Sequence, residues 1–154
     1  MWQLNLPTYQ FNIKKTADNF FIFDVLRKKF VKLTPEEWVR QNFIQYLIQE
    51  KKYPGALFAV ESQIQVNGMK KRCDAIVFDR YAKPMIIIEF KAPTVAITQK
   101  TFDQAAVYNS KLHIEYLIVS NGLEHYFCHI NSERMSYDFL PDIPDYNYFY
   151  QQNI

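Results

Sequence analysis

The alternation of hydrophobic and polar positions predicts two helices among short strands. Apolar residues recur at helical spacing after "LTPEEW", where Thr34 fits an N-cap, Pro35 the first helical position and Glu37 the capping-box position. The sequence "KKYPG" should end this helix near residue 52. A second helix is predicted over roughly 97–111.

The remaining segments favour strands. Short candidates lie within residues 9–33, and polar and apolar residues then alternate over 58–66. An Asn67–Gly68 turn leads to a strand over about 70–79, and a second turn leads to a strand over 84–91. The segments "IEYLIVS" and "LEHYFCHI" form a last pair of strands.

Asn121-Gly122 between these last two segments is typical of a two-residue hairpin turn. The order β-β-α-β-β-β-α-β-β predicts an α/β fold with a mixed central sheet flanked by helices. The length favours a single domain over 1–154, with a β-rich N-terminal extension (1–33) and an irregular tail (140–154). The Met1 start and the aromatic-rich tail favour a whole gene product.

The composition of the chain is that of a globular protein. Hydrophobic residues make up 49% and charged residues 22%, which is typical of a globular chain. The formal charge of +2 does not require a polyanionic partner, but three basic clusters are either DNA contacts or solvated faces. These clusters are Lys14-Lys15, Arg27-Lys28-Lys29 and Lys70-Lys71-Arg72. Two cysteines and the lack of a long apolar stretch predict a cytoplasmic protein without a membrane partner.

Candidate chemistry lies in the hairpin that contains "CDAIVFDRYAKPMIIIEFKAP". A turn at 80–83 would place Asp79 opposite Pro84. The further pairs predicted from that register are Asp74–Glu89, Ile76–Ile87 and Phe78–Met85. Period-two alternation then places Asp74, Glu89 and Lys91 on one face, while the other face is apolar.

Two opposed carboxylates repel each other unless their charge is offset. In one interpretation Lys91 neutralises one carboxylate and water solvates the other. In the other, the carboxylates hold a divalent cation, and Lys91 orients an attacking water or stabilises charge on a phosphate. The spacing alone leaves both open.

Asp74 followed by Glu89-Phe90-Lys91 resembles the signature of PD-(D/E)xK nucleases. Further features occur in order: a helix with Glu37, "KRCDAIVF", "IIIEFKAP", the helix segment "QAAVY" with Gln104 and Tyr108, and "YLIVSNG". Over about residues 25–130 the chain resembles the N-terminal nuclease domain of the R subunit of type I restriction-modification enzymes.

This resemblance implies a restriction-endonuclease-like fold and a metal-dependent DNA endonuclease. Asp74, Glu89 and the backbone carbonyl of Phe90 would bind Mg²⁺, with Mn²⁺ as a possible substitute, and Lys91 would be the catalytic lysine. Glu37 would complete the acidic site, and Gln104 would act beside it. The expected DNA contacts are Tyr108, Lys70, Lys71, Arg72 and Lys100.

Alternatives remain for several of these residues. The capping box explains Glu37 without catalysis, and Gln104 and Tyr108 fit an ordinary helix. Cys73 stands where the family pattern has Pro. No "GxxxxGK[ST]" segment occurs, so an ATP site and the ATP-driven motor are not expected in this chain. The alternative function is a catalytically silent module that binds DNA or docks with other restriction-modification subunits.

Overall fold

The computed structural model describes residues 1–66 and 68–151, which form two β-sheets and two α-helices. The helices are α1 (Pro35–Gln49) and α2 (Gln99–Leu112). The strands are β1 (Ile13–Lys15), β2 (Phe20–Asp24), β3 (Lys29–Lys32), β4 (Phe58–Val66), β5 (Met69–Phe78), β6 (Pro84–Phe90), β7 (Tyr116–Ser120), β8 (His125–Asn131) and β9 (Ser136–Leu140).

The N-terminal extension is a small antiparallel sheet in the order β1-β2-β3. It has three strands, whereas the predicted element order has two before the first helix. A short turn joins each pair of these strands, so that consecutive segments pair with each other.

The main sheet is mixed, in the order β4-β5-β6-β7-β8-β9. The β6–β7 pair is parallel and the other pairs are antiparallel. Helix α2 connects β6 to β7, and a crossover of this kind is what a parallel pair requires. The predicted mixed sheet flanked by helices is therefore confirmed.

Each helix covers one face of the main sheet. Ile86 and Ile88 of β6 point into the core formed with Val39, Phe43 and Leu47 of α1. Ile87 points into the core formed with α2 residues. All three isoleucines are fully buried, because the strand is covered on both faces as its continuous apolar run predicts.

The start of α1 follows the local sequence. Thr34 is the N-cap, its Oγ1 accepts a 3.0 Å hydrogen bond from the Glu37 N–H, and Pro35 occupies the first turn. This predicted start is confirmed, although the helix ends at Gln49, before the predicted stop.

Two turns differ from prediction or fall outside the described ranges. Residues 121–124 form a four-residue loop, not a two-residue turn, because the Asn121 side-chain oxygen accepts hydrogen bonds from the Leu123 and Glu124 N–H groups at 3.0 and 2.9 Å. The predicted Asn67–Gly68 turn includes Asn67, which lies outside the described residues.

The C-terminal segment has more regular structure than its sequence indicates. Strand β9 runs into it, and a 3-10 helix follows at Tyr146–Tyr150. The Tyr146 N–H donates to the Lys51 carbonyl at 2.9 Å, and the Tyr53 hydroxyl donates to the Pro144 carbonyl at 3.0 Å. Residues 152–154 lie outside the described part of the chain. Within residues 1–66 and 68–151, no helix is long and apolar enough to cross a membrane.

Candidate active site

The candidate site lies where the β5–β6 ladder ends. The pairs Ala75–Ile88, Ile76–Ile87 and Val77–Ile86 follow the predicted register. A shift between Val77 and Phe78 then places Phe78 opposite Pro84, so the predicted Phe78–Met85 and Asp79–Pro84 pairs are wrong. This shift lies at the turn end of the hairpin, away from the acidic residues.

Asp74 lies just before Ala75, which forms the described β5–β6 pair nearest to the end of β6, and its side chain contacts the backbone of β6. Its Oδ2 accepts a 2.7 Å hydrogen bond from the Phe90 N–H. Asp74 and Glu89 are therefore neighbours at the end of β6, although they are not among the described ladder pairs. The bond fixes the Asp74 carboxylate beside the last residue of β6.

Glu89 is the most perturbed acid at this edge. The pKa of its carboxyl group is raised to about 7, mainly by burial and then by the negative charge of Asp74, while Lys71 acts to lower it. Lys71 Nζ lies 3.4 Å from Glu89 Oε1. That oxygen is nonetheless buried and accepts no hydrogen bond of normal geometry from the described residues. A buried acceptor of this kind is costly unless a cation or donor reaches it.

Lys91 follows β6 directly. Its N–H donates to the Ser120 carbonyl of β7 at 2.9 Å, and its side chain is half-buried. In the described ranges, no carboxylate lies within 4.0 Å of its ammonium group. The cation that contacts Glu89 is Lys71, so the interpretation in which Lys91 alone neutralises a carboxylate is wrong.

Glu89 and Lys91 open onto a cleft of about 630 Å³ beside α2. Gln104 and Tyr108, four residues apart, line the cleft from one face of the helix. Lys71 Nζ lies 4.6 Å from the centroid of the Tyr108 ring, within the range of a cation–π contact.

Two further polar residues of this cleft, Thr101 and Lys111, were not among the predicted site residues. Their signal is the helical period, because both lie three residues from another member of the lining (Gln104 or Tyr108).

The other predicted DNA contacts lie elsewhere. Arg72 is 70% exposed and its guanidinium lies 3.6 Å from the Glu61 carboxylate. Lys70 and Lys100 are exposed and are not part of the cleft lining. Successive residues of a strand point to opposite faces, which is why Lys71 separates from its two neighbours.

Glu37 is buried and faces two arginines, not the cleft. Its Oε1 accepts hydrogen bonds from Arg27 at 2.7 Å and from Arg40 at 2.6 Å, and its Oε2 accepts one from Gln41 at 3.1 Å. These contacts give Glu37 a structural role that explains its burial without catalysis.

Asp74 and Glu89 form an acidic edge at the end of β6, and Glu36 and Arg40, which were not among the predicted site residues, connect α1 to it. Arg40 Nη2 lies 3.6 Å from Glu36 and 3.7 Å from Asp74 Oδ1. The pKa of Glu36 is raised, first by burial and then by the charge of Asp74, while Arg40 and Lys91 lower it. Glu36 therefore shares the electrostatic environment of Asp74 and Lys91. The four-residue spacing of Glu36 and Arg40 is the available sequence signal.

The donor set at this edge fits a magnesium ion. Mg²⁺ prefers hard oxygen ligands and is commonly held by one or two carboxylates. Asp74 and Glu89 supply two, and Glu89 Oε1, which lies 3.4 Å from Lys71 Nζ, accepts no hydrogen bond from the described residues. Across the described part of the chain, no group of three or more His, Cys, Asp or Glu residues is arranged to hold an ion. A site here would accordingly need the Phe90 backbone carbonyl, water or substrate as further ligands.

Comparisons with known proteins agree with this architecture. A family model described as the type I restriction enzyme R protein N terminus (HSDR_N) matches residues 35–144. The match includes both helices, the main sheet and every residue of the acidic edge. A search of curated proteins found no match.

One solved structure with a similar fold is a fragment of a protein described as an HsdR subunit of a type I restriction enzyme from Vibrio vulnificus YJ016. The TM-score is 0.50 and the sequence identity is 17%. The similarity covers 73% of this chain and 24% of that one, so this chain corresponds to a minor part of that protein.

Proposed function

The chain belongs to the family of type I restriction enzyme R protein N termini, and we propose that it is a Mg²⁺-dependent endonuclease that hydrolyses DNA phosphodiester bonds. The family and the fold support a nuclease-type module of a restriction enzyme. The finer assignment rests on the acidic edge between β5 and β6. On the strength of this edge we propose that the chain is a nuclease of the PD-(D/E)xK class.

The main supporting observation is the environment of Glu89. This buried carboxylate neighbours Asp74, has an oxygen without a hydrogen bond among the described residues, and opens onto a cleft that Lys91 also lines. An acid with a strongly raised pKa in a cleft, next to a second acid, is typical of a functional site.

In the proposed reaction, the acidic residues bind the metal ion and Lys91 acts on the water or the phosphate. Asp74, Glu89 and the Phe90 carbonyl would hold Mg²⁺, or Mn²⁺ in its place. A bound ion would polarise the phosphoryl oxygen and acidify the attacking water. Lys91 would orient that water or stabilise the negative charge that develops on the phosphate.

The cleft beside α2 would receive the DNA strand. Lys71 and Lys111 provide positive charge, Tyr108 provides an aromatic surface, and Gln104 provides an amide near Lys91. We propose DNA as the substrate and other restriction-modification subunits as partners. We do not propose Lys70, Arg72 or Lys100 as DNA contacts in this cleft, because they are not among the residues that line it.

The second candidate function is a catalytically silent module for DNA binding or docking. It is favoured by the contacts of Asp74, whose two oxygens lie near protein donors, the Phe90 N–H at 2.7 Å and Arg40 at 3.7 Å. A metal ion would have to compete with Arg40 for Oδ1.

Nicking of supercoiled plasmid in Mg²⁺ or Mn²⁺ distinguishes the two functions. We expect the wild type to nick DNA, and Lys91→Ala to lower the rate at least about 100-fold, because a positioned group that stabilises developing charge contributes about this much. Lys83→Ala is the matched control, since Lys83 is an exposed lysine just before the opposite end of β6. A wild type without nicking activity, or equal rates for both variants, contradicts the hydrolytic function.

A further inference from the structure

The positive charge of the chain is concentrated in its N-terminal extension. Residues 1–33 contain six basic and two acidic residues, an excess of +4, whereas the whole chain has a net charge of +2. The rest of the chain therefore carries −2. All five lysines of the extension are exposed: Lys14, Lys15, Lys28, Lys29 and Lys32.

The small sheet combines this charge with aromatic rings. Lys14 pairs with Phe21 across β1 and β2, and Phe21 pairs with Lys32 across β2 and β3, so these three side chains share one face. Lys14 Nζ lies 4.2 Å from the centroid of the Phe30 ring. Lysines interleaved with aromatic rings on an open sheet suit a nucleic-acid backbone.

A second cleft, of about 570 Å³, lies between this sheet and the start of α1. Lys29 and Lys32 line it from the sheet, Glu36 lines it from α1, and Ala92, the residue after Lys91, also lines it. The cleft is therefore next to the candidate active site and distinct from the cleft beside α2.

The acids of this second cleft are largely paired within the protein. Arg27 contacts Glu37 at 2.7 Å and Glu61 at 3.1 Å, and Arg40 also contacts both. By contrast, for residues 1–66 and 68–151, no carboxylate lies within 4.0 Å of the ammonium groups of Lys29 and Lys32. These two lysines are available to an external anion.

We propose that the N-terminal three-stranded sheet binds the DNA backbone next to the candidate active site, through Lys29 and Lys32. This inference rests on the proposed function, which supplies DNA as the ligand. The α2 cleft would hold the strand to be cut, and the extension would hold the duplex on the other side of Lys91. Regularly spaced phosphates match the exposed lysines, which form few ion pairs within the protein.

Fluorescence anisotropy with a labelled DNA duplex tests this proposal, in EDTA so that no cleavage occurs, over a series of KCl concentrations. Each lost phosphate contact lowers the slope of log Kd against log salt by about 0.9. We expect the double variant Lys29→Gln/Lys32→Gln to lower that slope by about 1.8 and to weaken binding on the order of tenfold at low salt.

The matched control is Lys52→Gln/Lys83→Gln. It removes two exposed lysines that lie away from the second cleft, one after the C-terminal end of α1 and the other just before β6 begins. It should retain the wild-type slope. A wild-type slope in Lys29→Gln/Lys32→Gln, as expected if the extension docks a protein or a membrane, overturns the proposal. An equal loss in the control, or a wild type that does not bind duplex DNA, also overturns it.

Plasmid nicking by the same Lys29→Gln/Lys32→Gln variant separates this inference from the proposed function. If this variant nicks DNA at low salt and its slope of log Kd against log salt equals that of the wild type, only the role of the extension is contradicted. A wild type that binds DNA through the extension without nicking it contradicts only the hydrolytic function.

Discussion

Single residues of α1 show how similar side chains take different roles. Glu36 and Glu37 are adjacent, yet Glu37 is buried against Arg27 and Arg40, while Glu36 is 44% exposed and lies in the field of Asp74. The family resemblance implies an acidic role in the site for Glu37, whereas Glu36 is the residue whose pKa the charge of Asp74 raises. Helix rotation explains the difference, because consecutive residues point about 100° apart.

Replacing each acid by glutamine tests this division. Glu37→Gln removes the buried carboxylate that Arg27 and Arg40 share. We expect the free energy of unfolding to fall by roughly 3 kcal/mol, the low end for breaking a buried ion pair, because both arginines keep contacts with Glu61. Glu36→Gln should change it by no more than about 0.5 kcal/mol, since its side chain is 44% exposed and its contact with Arg40, at 3.6 Å, is long. Urea denaturation measures both, and a loss for Glu36→Gln as large as that for Glu37→Gln contradicts the assignment.

At the scale of elements, the loop between β7 and β8 anchors the N-terminal segment. The Asn5 N–H donates to the Gly122 carbonyl at 2.8 Å, and His125 Nε2 lies 2.9 Å from the Asn5 carbonyl. Gly122 has φ +86°, and a Cβ there would lie 2.7 Å from Leu4 and 3.1 Å from Val39. The glycine therefore permits both the turn and the close approach of the segment.

We predict that Gly122→Ala destabilises the fold more than Gly68→Ala. Both glycines have positive φ, but among the described residues that are not its chain neighbours, no heavy atom lies within 4 Å of the position of a Cβ on Gly68. The shared backbone cost should therefore cancel, and the excess for Gly122→Ala, about 1 kcal/mol or more, measures the crowding against Leu4 and Val39. Thermal or urea unfolding gives the two values. Equal losses would show that Leu4 moves away without cost.

At the scale of the molecule, local signals predicted the helices and the central hairpin. Thr34 and Pro35 specify the start of α1, and the turn placed at residues 80–83 gave the Ile76–Ile87 pair correctly. Features that depend on distant contacts were missed. Strand β9 needs β8 beside it, and the order of the tail depends on Tyr146 reaching Lys51.

The residues of the candidate site also fall into those that local sequence patterns identified and those that depend on tertiary packing. A strand motif identified Asp74, Glu89 and Lys91, and helical spacing identified Gln104 and Tyr108. The lysine nearest to Glu89 and the arginine nearest to Asp74 could not be predicted, because Lys71 and Arg40 reach these acids only after β5 and α1 have packed against β6.

Calorimetric titration of Mg²⁺ into the purified chain tests most directly whether the acidic edge is a metal site. We predict binding to the wild type and to Asp142→Asn, which removes an exposed acid elsewhere, and loss of binding in Asp74→Asn with the fold retained by circular dichroism. A wild type that does not bind the ion, or Asp74→Asn that binds it as the wild type does, would contradict the metal-dependent mechanism.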